Sequence, residues 1–492
     1  MSSRTKPWIN LALSLASGLL LVLLFPPFGY TWLAPVALTP ILIACAREHQ
    51  WRRRALFGWA SGFVFWAGMC PWIQFVLEVH GGMGRWGGWG SFLLFGLYKG
   101  LPMAVFAALA GFTMHRWWSI PASAALWTGI ERLHGYTGFA WLDLGNAGIG
   151  MPLPLRLAPI TGVYGLTFVF ALLAAGVASV LLRRPRRELA WLLPLGLLFA
   201  LPRLPRPAEP REKALVVQPN FDAEMPWTSD SLAFEEQKLA ILSKAGQASL
   251  LIWPEAPAPF YPVEPAFRAY ISRVAEDAQA YFLLGAVGYN ERKEPLNAAF
   301  VVNPSGTLQA EYDKVNLVPF GEFIPPMFGW VNRITHEAGD FVPGDRVVVF
   351  KVDGHGASAF ICYESVFPDF VRQFVREGAQ VLINISNDGY FGHSAAHEQH
   401  FLIARMRAVE NRRWLIRATN DGITAVIDPR GRVTQRMPEY VQTSALMPFD
   451  YVTSETPYTR YGDWFAWSCL AVGLLLAGLG IRSAGSPERR RP

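Results

Sequence analysis

The chain has 492 residues, of which 52% are hydrophobic and only 17% charged, and its formal net charge is +6. With a positive mean hydropathy, these values exclude a disordered chain, a coiled coil and an ordinary soluble enzyme, and fit a protein partly immersed in lipid. The 19 tryptophans and 33 phenylalanines suit long membrane–water interfaces. The basic residues cluster in short loops, which points to membrane topology and away from nucleic acid. Of the four cysteines, Cys45, Cys70 and Cys469 lie in apolar stretches and Cys362 stands alone in a more polar region. They supply neither a disulfide framework nor a zinc spacing, so no metal is expected.

In chain order, the first ~200 residues read as apolar runs near the ~20 residues that cross a bilayer. They fall at about 8–25, 31–46, 56–77, 90–112, 117–131, 157–182 and 189–202. The fifth and seventh are short and contain proline. A last run covers about 465–481. The first run has basic flanks but no convincing small-residue cleavage site, so it reads as a span and not as a removed signal. The expected organisation is a membrane domain over 1–205 with about seven helices, a catalytic domain over 212–450, and a transmembrane helix with a basic tail over 463–492.

Between the last two spans the charges return. Candidate strands are Ala214–Val217, Leu250–Trp253, Phe282–Val287, Ala298–Val302, Ala357–Ile361, Val381–Ile385, Trp414–Ala418 and Ile423–Ile427. Phe267, Tyr270, Ile271, Val274 and Ala278 follow the spacing of a half-buried helix. Ala395–Glu410 is a second helix candidate. Strands alternating with helices predict one α/β domain, and the four prolines of Leu201–Glu212 mark its boundary. No internal sequence repeat is visible.

Arg4 and Lys6, Arg47 with Arg52 to Arg54, Arg116, Arg183 to Arg187, and Arg482 with Arg489 to Arg491 fall on one side if eight spans alternate. The opposite short loops hold only Arg85, Arg132 and Arg156. The basic side is expected in the cytoplasm, with both termini, and the α/β domain outside. Such a domain meets no ATP, NAD or acyl-CoA, so neither cofactor nor nucleotide is expected.

Three segments carry candidate chemistry. Leu250–Glu255 is an apolar strand ending in a carboxylate, Tyr312–Pro325 contains Lys314 and Glu322, and Ala357–Glu364 is an apolar strand ending at Cys362. A thiol becomes a good nucleophile when a base takes its proton or a cation stabilises the thiolate. Glu255 can be that base, and Lys314 can hold charge near the sulfur and an oxyanion. Each also has a plain structural reading: a buried small cysteine, a solvated turn carboxylate, a surface Lys314–Asp313 pair. No histidine lies near Cys362 in sequence, which argues against a papain-like pair.

Trp253-Pro-Glu255, Lys314 with Gly321-Glu322, and Cys362-Tyr-Glu364 resemble the Glu–Lys–Cys triad of the nitrilase superfamily. Together with eight apolar runs, the chain resembles the bacterial apolipoprotein N-acyltransferase family. Val217–Asn220, Pro319–Pro325, Ser386–Asp388, Phe391-Gly392, Ala404–Asn411, Arg417–Asn420 and Tyr458–Trp464 extend the likeness, as do Thr137–Trp141 and Gly162–Gly165. Departures from the family pattern occur at His134, Ala140 and Gly389-Tyr390.

The resemblance implies a four-layer α-β-β-α domain on an eight-helix membrane base. It implies a phospholipid acyl donor and, as acceptor, the free amine of an N-terminal diacylglyceryl-cysteine on an apolipoprotein. Glu255 would activate Cys362, a thioester would form, and Lys314 would stabilise the oxyanion with a backbone N–H near Tyr363. Glu322 would orient Lys314, and Glu364 would support the loop after the nucleophile. Trp227 and Trp141 are candidate lipid-contact residues. Asn387 and Asp388 are expected to shape the pocket floor, and Arg405, Arg407 and Glu410 to form buried ion pairs. Lys99, in the middle of the fourth run, is either a functional group or a side chain that snorkels to the interface. Rival readings are an amidase or nitrilase, an acyltransferase for another extracytoplasmic amine, and a pore with an appended binding domain.

Overall fold

The computed structural model describes residues 6–222, 227–319, 321–323 and 341–485. Arg4, the 223–226 segment before Trp227, Phe320, the end of the Pro319–Pro325 motif and the basic run 486–492 lie outside them. The chain divides into two compact units. One holds residues 1–74, 89–203 and 461–492, and the other holds 75–88 and 204–460.

The first unit is helical. Among the described residues three helices are long and apolar enough to cross a membrane: Gly84–Thr113, Val163–Leu181 and Trp464–Ser483. A fourth arises if Trp51–Met69 and Trp72–Val79 form one bent span. The other apolar runs make shorter elements. Thr31–Val36 is a 3-10 turn with Pro35 inside it, followed by the helix Thr39–Arg47. Arg186–Gly196, again with an internal proline, is also 3-10. A proline removes one backbone donor and crowds the preceding turn, which explains why these runs do not form continuous α-helices. Helix contacts rely on small residues. A Cβ on Gly58 would stand 2.6 Å from Ala107 Cβ, and one on Gly62 would stand 2.8 Å from Gly100 Cα. This spacing of two glycines four apart lets Trp51–Met69 approach Leu101–Thr113 backbone to backbone. Lys99 does not snorkel. It is buried and donates to Thr137 Oγ1 (2.7 Å), Phe139 O (2.7 Å) and His134 O (3.1 Å), pinning the turn that precedes Trp141.

Among the described residues the second unit has twelve strands: β1 (Glu212–Gln218), β2 (Leu250–Ile252), β3 (Tyr281–Tyr289), β4 (Pro295–Val302), β5 (Leu308–Asp313) and β6 (Phe350–Val352) come first. β7 (His355–Ile361), β8 (Val381–Ser386), β9 (Leu415–Thr419), β10 (Ala425–Ile427), β11 (Val433–Arg436) and β12 (Thr443–Phe449) follow. They form two six-stranded sheets, ordered β12-β1-β2-β3-β4-β5 and β6-β7-β8-β9-β10-β11. Along each sheet, in that direction, the pairings run antiparallel, parallel, parallel, antiparallel, antiparallel. The domain therefore repeats its topology although the sequence shows no repeat.

β1, β2, β8 and β9 are buried over most of their length, which is why they read as largely apolar runs, interrupted in β8 and β9 by the buried Asn384 and Arg417. Leu215, Leu251, Trp253, Phe282 and Leu284 form one core cluster with Leu239 of helix Ser229–Leu242 and Phe267 and Ile271 of helix Pro265–Ala278. Helices Pro368–Arg376 and Ala396–Asn411 belong to the half that carries the second sheet. At one end the sheets are tied together: Asn420 exchanges two hydrogen bonds with the Phe221 backbone (2.9 and 2.8 Å), and Asn220 N–H donates to Asn420 O (2.8 Å).

Gly285, inside β3, marks a close approach. A Cβ there would stand 2.6 Å from Glu255 Cα, Ala256 N and Pro254 O. Gly285→Ala must push the Glu255 backbone aside, at a cost of about 1–3 kcal/mol. The variant should melt at lower temperature in detergent and lose activity more than its folded fraction accounts for. Wild-type activity per folded molecule would show that the Glu255 backbone tolerates the push.

Candidate active site

Parallel strands end at one edge of an α/β sheet, and groups placed just after their carboxyl ends converge there. Glu255 follows β2, Cys362 follows β7 and Asn387 follows β8, while Lys314 follows the edge strand β5. The two halves contribute jointly: the acid and the lysine come from the first sheet, the thiol from the second.

Lys314 is 1% exposed, which excludes the surface pair with Asp313. Its ammonium donates to Glu322 Oε1 (2.8 Å) and Glu255 Oε1 (3.1 Å). Burial works against the charge, yet the Glu255 and Glu322 carboxylates outweigh it and hold the ammonium well above its ordinary range. Asn297, in β4, gives its side-chain amide to both carboxylates, at 2.7 Å to Glu255 and 2.6 Å to Glu322. Glu255 Oε2 accepts from the Asn387 N–H (2.8 Å), and Glu322 Oε2 accepts from the Val318 N–H (2.8 Å). Asn297 escaped the sequence reading; its only signal is a polar residue at the head of the apolar run Ala298–Val302.

Cys362 is buried and has φ +48°, a left-handed conformation that costs a residue with a side chain about 1–2 kcal/mol. It stands at the sharp turn between β7 and the 3-10 turn Cys362–Val366. Strain of this kind is held where surrounding contacts over-determine the backbone. Burial and then the Glu255 carboxylate push the thiol above its ordinary value of 9.0, while Lys314 acts in the opposite sense. A thiol so raised could act as a nucleophile only if a neighbouring base took its proton.

Glu364 is fully buried and binds both sides of the cleft. It accepts from Tyr312 OH (2.7 Å), the Val315 and Asn316 N–H groups (2.8 and 3.0 Å), and the Ile361 N–H (2.8 Å). Burial pushes its carboxyl up to about 7, against the pull of the Ile361 amide, the Tyr312 hydroxyl and the Asn316 amide. Tyr363, next to the nucleophile, is buried against Phe367.

Beneath the nucleophile lies a second network. Asp388 accepts from Arg417 Nη2 (2.8 Å) and from Ser386 Oγ (2.8 Å), and Arg417 also donates to Asn384 Oδ1. His400 Nε2 lies 3.0 Å from Cys362 O, and its Nδ1 lies 2.9 Å from Arg417 Nη2. The expected floor role of Asp388 thus becomes an ion pair on which the floor is built. Arg407 and Glu410 do pair (2.7 Å), but Arg405 donates instead to Gly431 O (2.9 Å). Arg405 stands beside a turn whose carbonyl needs a donor, and no carboxylate is bonded to it among the described residues.

Trp227 is half-buried, its ring edge-on to Phe221 at 5.9 Å. Trp141 belongs to the other unit, where it is buried between Phe139 (5.8 Å) and Trp72 (5.0 Å). Among the described residues no three His, Cys, Asp or Glu side chains are grouped to hold a metal ion.

Sheet topology and site define the class: residues 216–450 match the carbon-nitrogen hydrolase family, and residues 17–176 match the apolipoprotein N-acyltransferase N-terminal domain. An apolipoprotein N-acyltransferase of Geobacter metallireducens is 34% identical, covering 96% of this chain and 95% of that one. One of Azotobacter vinelandii is 32% identical, again over 96% and 95%. Among solved structures, an amidase from Nesterenkonia sp. is 20% identical with a TM-score of 0.38, over 50% of this chain and 93% of that one. The chain belongs to the apolipoprotein N-acyltransferase family.

Burial pushes the Asp388 carboxyl up, but Arg417 and then the His400 hydrogen bond outweigh it and hold it well below 3.8. The pair's contribution is therefore complete above the ordinary carboxylate range and is lost only as pH falls below it. Asp388→Asn leaves Arg417 buried without its partner and should cost about 3–5 kcal/mol. Thermal unfolding in detergent at neutral pH measures this; a melting temperature equal to wild type would remove the pair from the account of stability.

Proposed function

We propose that this protein transfers a fatty acyl chain from a membrane phospholipid, through a thioester on Cys362, to the N-terminal amine of diacylglyceryl-cysteine on apolipoproteins. The observation that carries this reading is the cage of Glu255, Glu322, Asn297 and Lys314 around a buried thiol held at a left-handed turn. Family membership supplies the substrate class. The protein is then an integral membrane enzyme with eight spans, its four-layer α-β-β-α catalytic domain spanning 212–450.

Glu255 takes the thiol proton as sulfur attacks the ester carbonyl. Two of the three Lys314 protons are engaged by carboxylates among the described residues, and the third serves the developing oxyanion together with a backbone N–H at Tyr363. The lysophospholipid alkoxide leaves with a proton from Glu255. The acceptor amine then attacks the thioester, Glu255 receives its proton, and the amide forms as the thiol returns. A thioester reacts readily with amines, so the exchange needs no nucleotide. Glu322 fixes Lys314, Asn387 fixes Glu255 through its backbone N–H, and Glu364 holds the two loops together. Trp227, half-buried beside Phe221, contacts a lipid chain, whereas Trp141 packs its loop between Phe139 and Trp72.

In this scheme phospholipid alone yields acyl-Cys362 and one equivalent of lysophospholipid. A diacylglyceryl peptide with a free amine discharges the intermediate, and an N-acetylated peptide does not. Cys362→Ala forms neither adduct nor product. Mass spectrometry of single-turnover mixtures reads all four outcomes. Product that forms only with both substrates present together would replace the scheme by direct transfer.

The distribution of basic loops supports an extracytoplasmic catalytic domain in the cell inner membrane. An export-dependent reporter fused after residue 205 should be active, and the same reporter after Arg187 silent. The reverse pattern would invert the topology.

A further inference from the structure

Cys362 is held in a conformation that its side chain disfavours, and its carbonyl meets a histidine that the reaction scheme does not use. His400, on helix Ala396–Asn411, is fully buried. Its Nε2 lies 3.0 Å from Cys362 O, and its Nδ1 lies 2.9 Å from Arg417 Nη2. A carbonyl oxygen can only accept, so Nε2 carries the hydrogen. Nδ1 stands between Arg417 Nη2 and Asp388 Oδ1, the latter 3.3 Å away. Both ring nitrogens are thus engaged, Nε2 by the Cys362 carbonyl and Nδ1 by the Arg417–Asp388 pair. Burial and then the Arg417 charge lower the imidazole from its ordinary value, against the pull of Asp388 and of the Cys362 carbonyl. Phe391 stands edge-on to the ring at 5.9 Å and 90°, which holds its plane. Arg417 is in turn fixed by Asp388 and Asn384.

We propose that His400 is the positioning residue of the nucleophile: it grips the Cys362 carbonyl and keeps the residue in its left-handed turn, so that the thiol faces Glu255 and Lys314. The same bond orients the peptide between Cys362 and Tyr363, because carbonyl and following N–H share one plane. A donor on the carbonyl also polarises that N–H, the group assigned to the oxyanion. The helix, the strand ends of β8 and β9 and the nucleophile turn thus meet at one hydrogen bond. The inference rests on Cys362 being the nucleophile.

The test compares His400→Leu and His400→Gln in the full-length protein, using single-turnover acylation of Cys362 by phospholipid, scored per folded molecule. Leucine removes the donor, whereas the glutamine amide carries a donor and an acceptor at a similar spacing. Misalignment of a reacting group by about 1 Å costs on the order of 100-fold in rate. His400→Leu should acylate roughly 100-fold more slowly at saturating phospholipid, with KM unchanged. His400→Gln should recover most of the rate, and its pH profile should keep the wild-type shape because the imidazole moves no proton. If leucine does not fold, His400→Asn, too short to span both partners, takes its place. Wild-type acylation by His400→Leu overturns the proposal. So does a folded His400→Gln that is as slow as leucine and has lost a limb of its pH profile, since that marks a proton carrier. Failure of the wild type to form any adduct would instead sink the thioester reading. The His400 arm is then read from iodoacetamide alkylation of Cys362, expected to be slower in leucine and near wild type in glutamine; equal rates overturn it.

Discussion

Two carboxylates drawn out of bulk water face each other only if a cation stands between them or they share a proton. In this protein the cation is Lys314, between the buried Glu255 and the half-buried Glu322, with Asn297 completing the bridge. Burial and then the Glu255 carboxylate push the neighbouring thiol up, with Lys314 acting in the opposite sense. In the proposed scheme, proton transfer and attack are coupled for that reason. Removing Lys314 would leave the buried Glu255 and the half-buried Glu322 carboxylates facing each other, so its structural and proposed chemical roles cannot be separated by a single deletion.

The topological repeat explains how these groups meet. Each half runs three parallel strands through its sheet, and Glu255, Lys314 and Cys362 each stand just beyond a strand end. Neither half has the complete set. The inter-sheet ties at Asn220, Phe221 and Asn420, and the Glu364 bonds that span the β5 and β7 ends, hold the two contributions in register.

Eight of the twelve strands were legible in the sequence, and the four missed ones are β5, β6, β11 and β12, the edges of the two sheets. An interior strand buried on both faces is mostly apolar, and so announces itself even where a buried polar group such as Asn384 or Arg417 interrupts it. An edge strand can be short, polar or carry proline: β6 has three residues, β11 reads Val-Thr-Gln-Arg, and β12 contains Pro448. The same logic applies to the site. Glu255, Lys314 and Cys362 were found because reactive residues break apolar runs in a recognisable pattern. His400 and Arg417 were not, because a histidine 38 residues from the nucleophile gains its meaning only when a helix folds over the turn. In the first unit, the proline in the seventh run marked it as the weak one, whereas the break at Pro35 in the second run was not marked.

β12 returns to pair with β1 along its whole length, from Glu212 opposite Phe449 to Gln218 opposite Thr443. The two ends of the sheet-bearing segment 212–449 therefore lie side by side, with Arg211 and Asp450 as an ion pair beside them. A domain with adjacent ends is spliced into its host as a cassette: it can be lengthened, shortened or exchanged without forcing the flanking helices apart. For a lipid-modifying enzyme this means that selection can rework the chemistry and the membrane anchor on separate schedules. A laboratory graft of a relative's segment in place of 212–449 would keep this strand pairing at its base, and would also have to fit the 75–88 segment of the same compact unit.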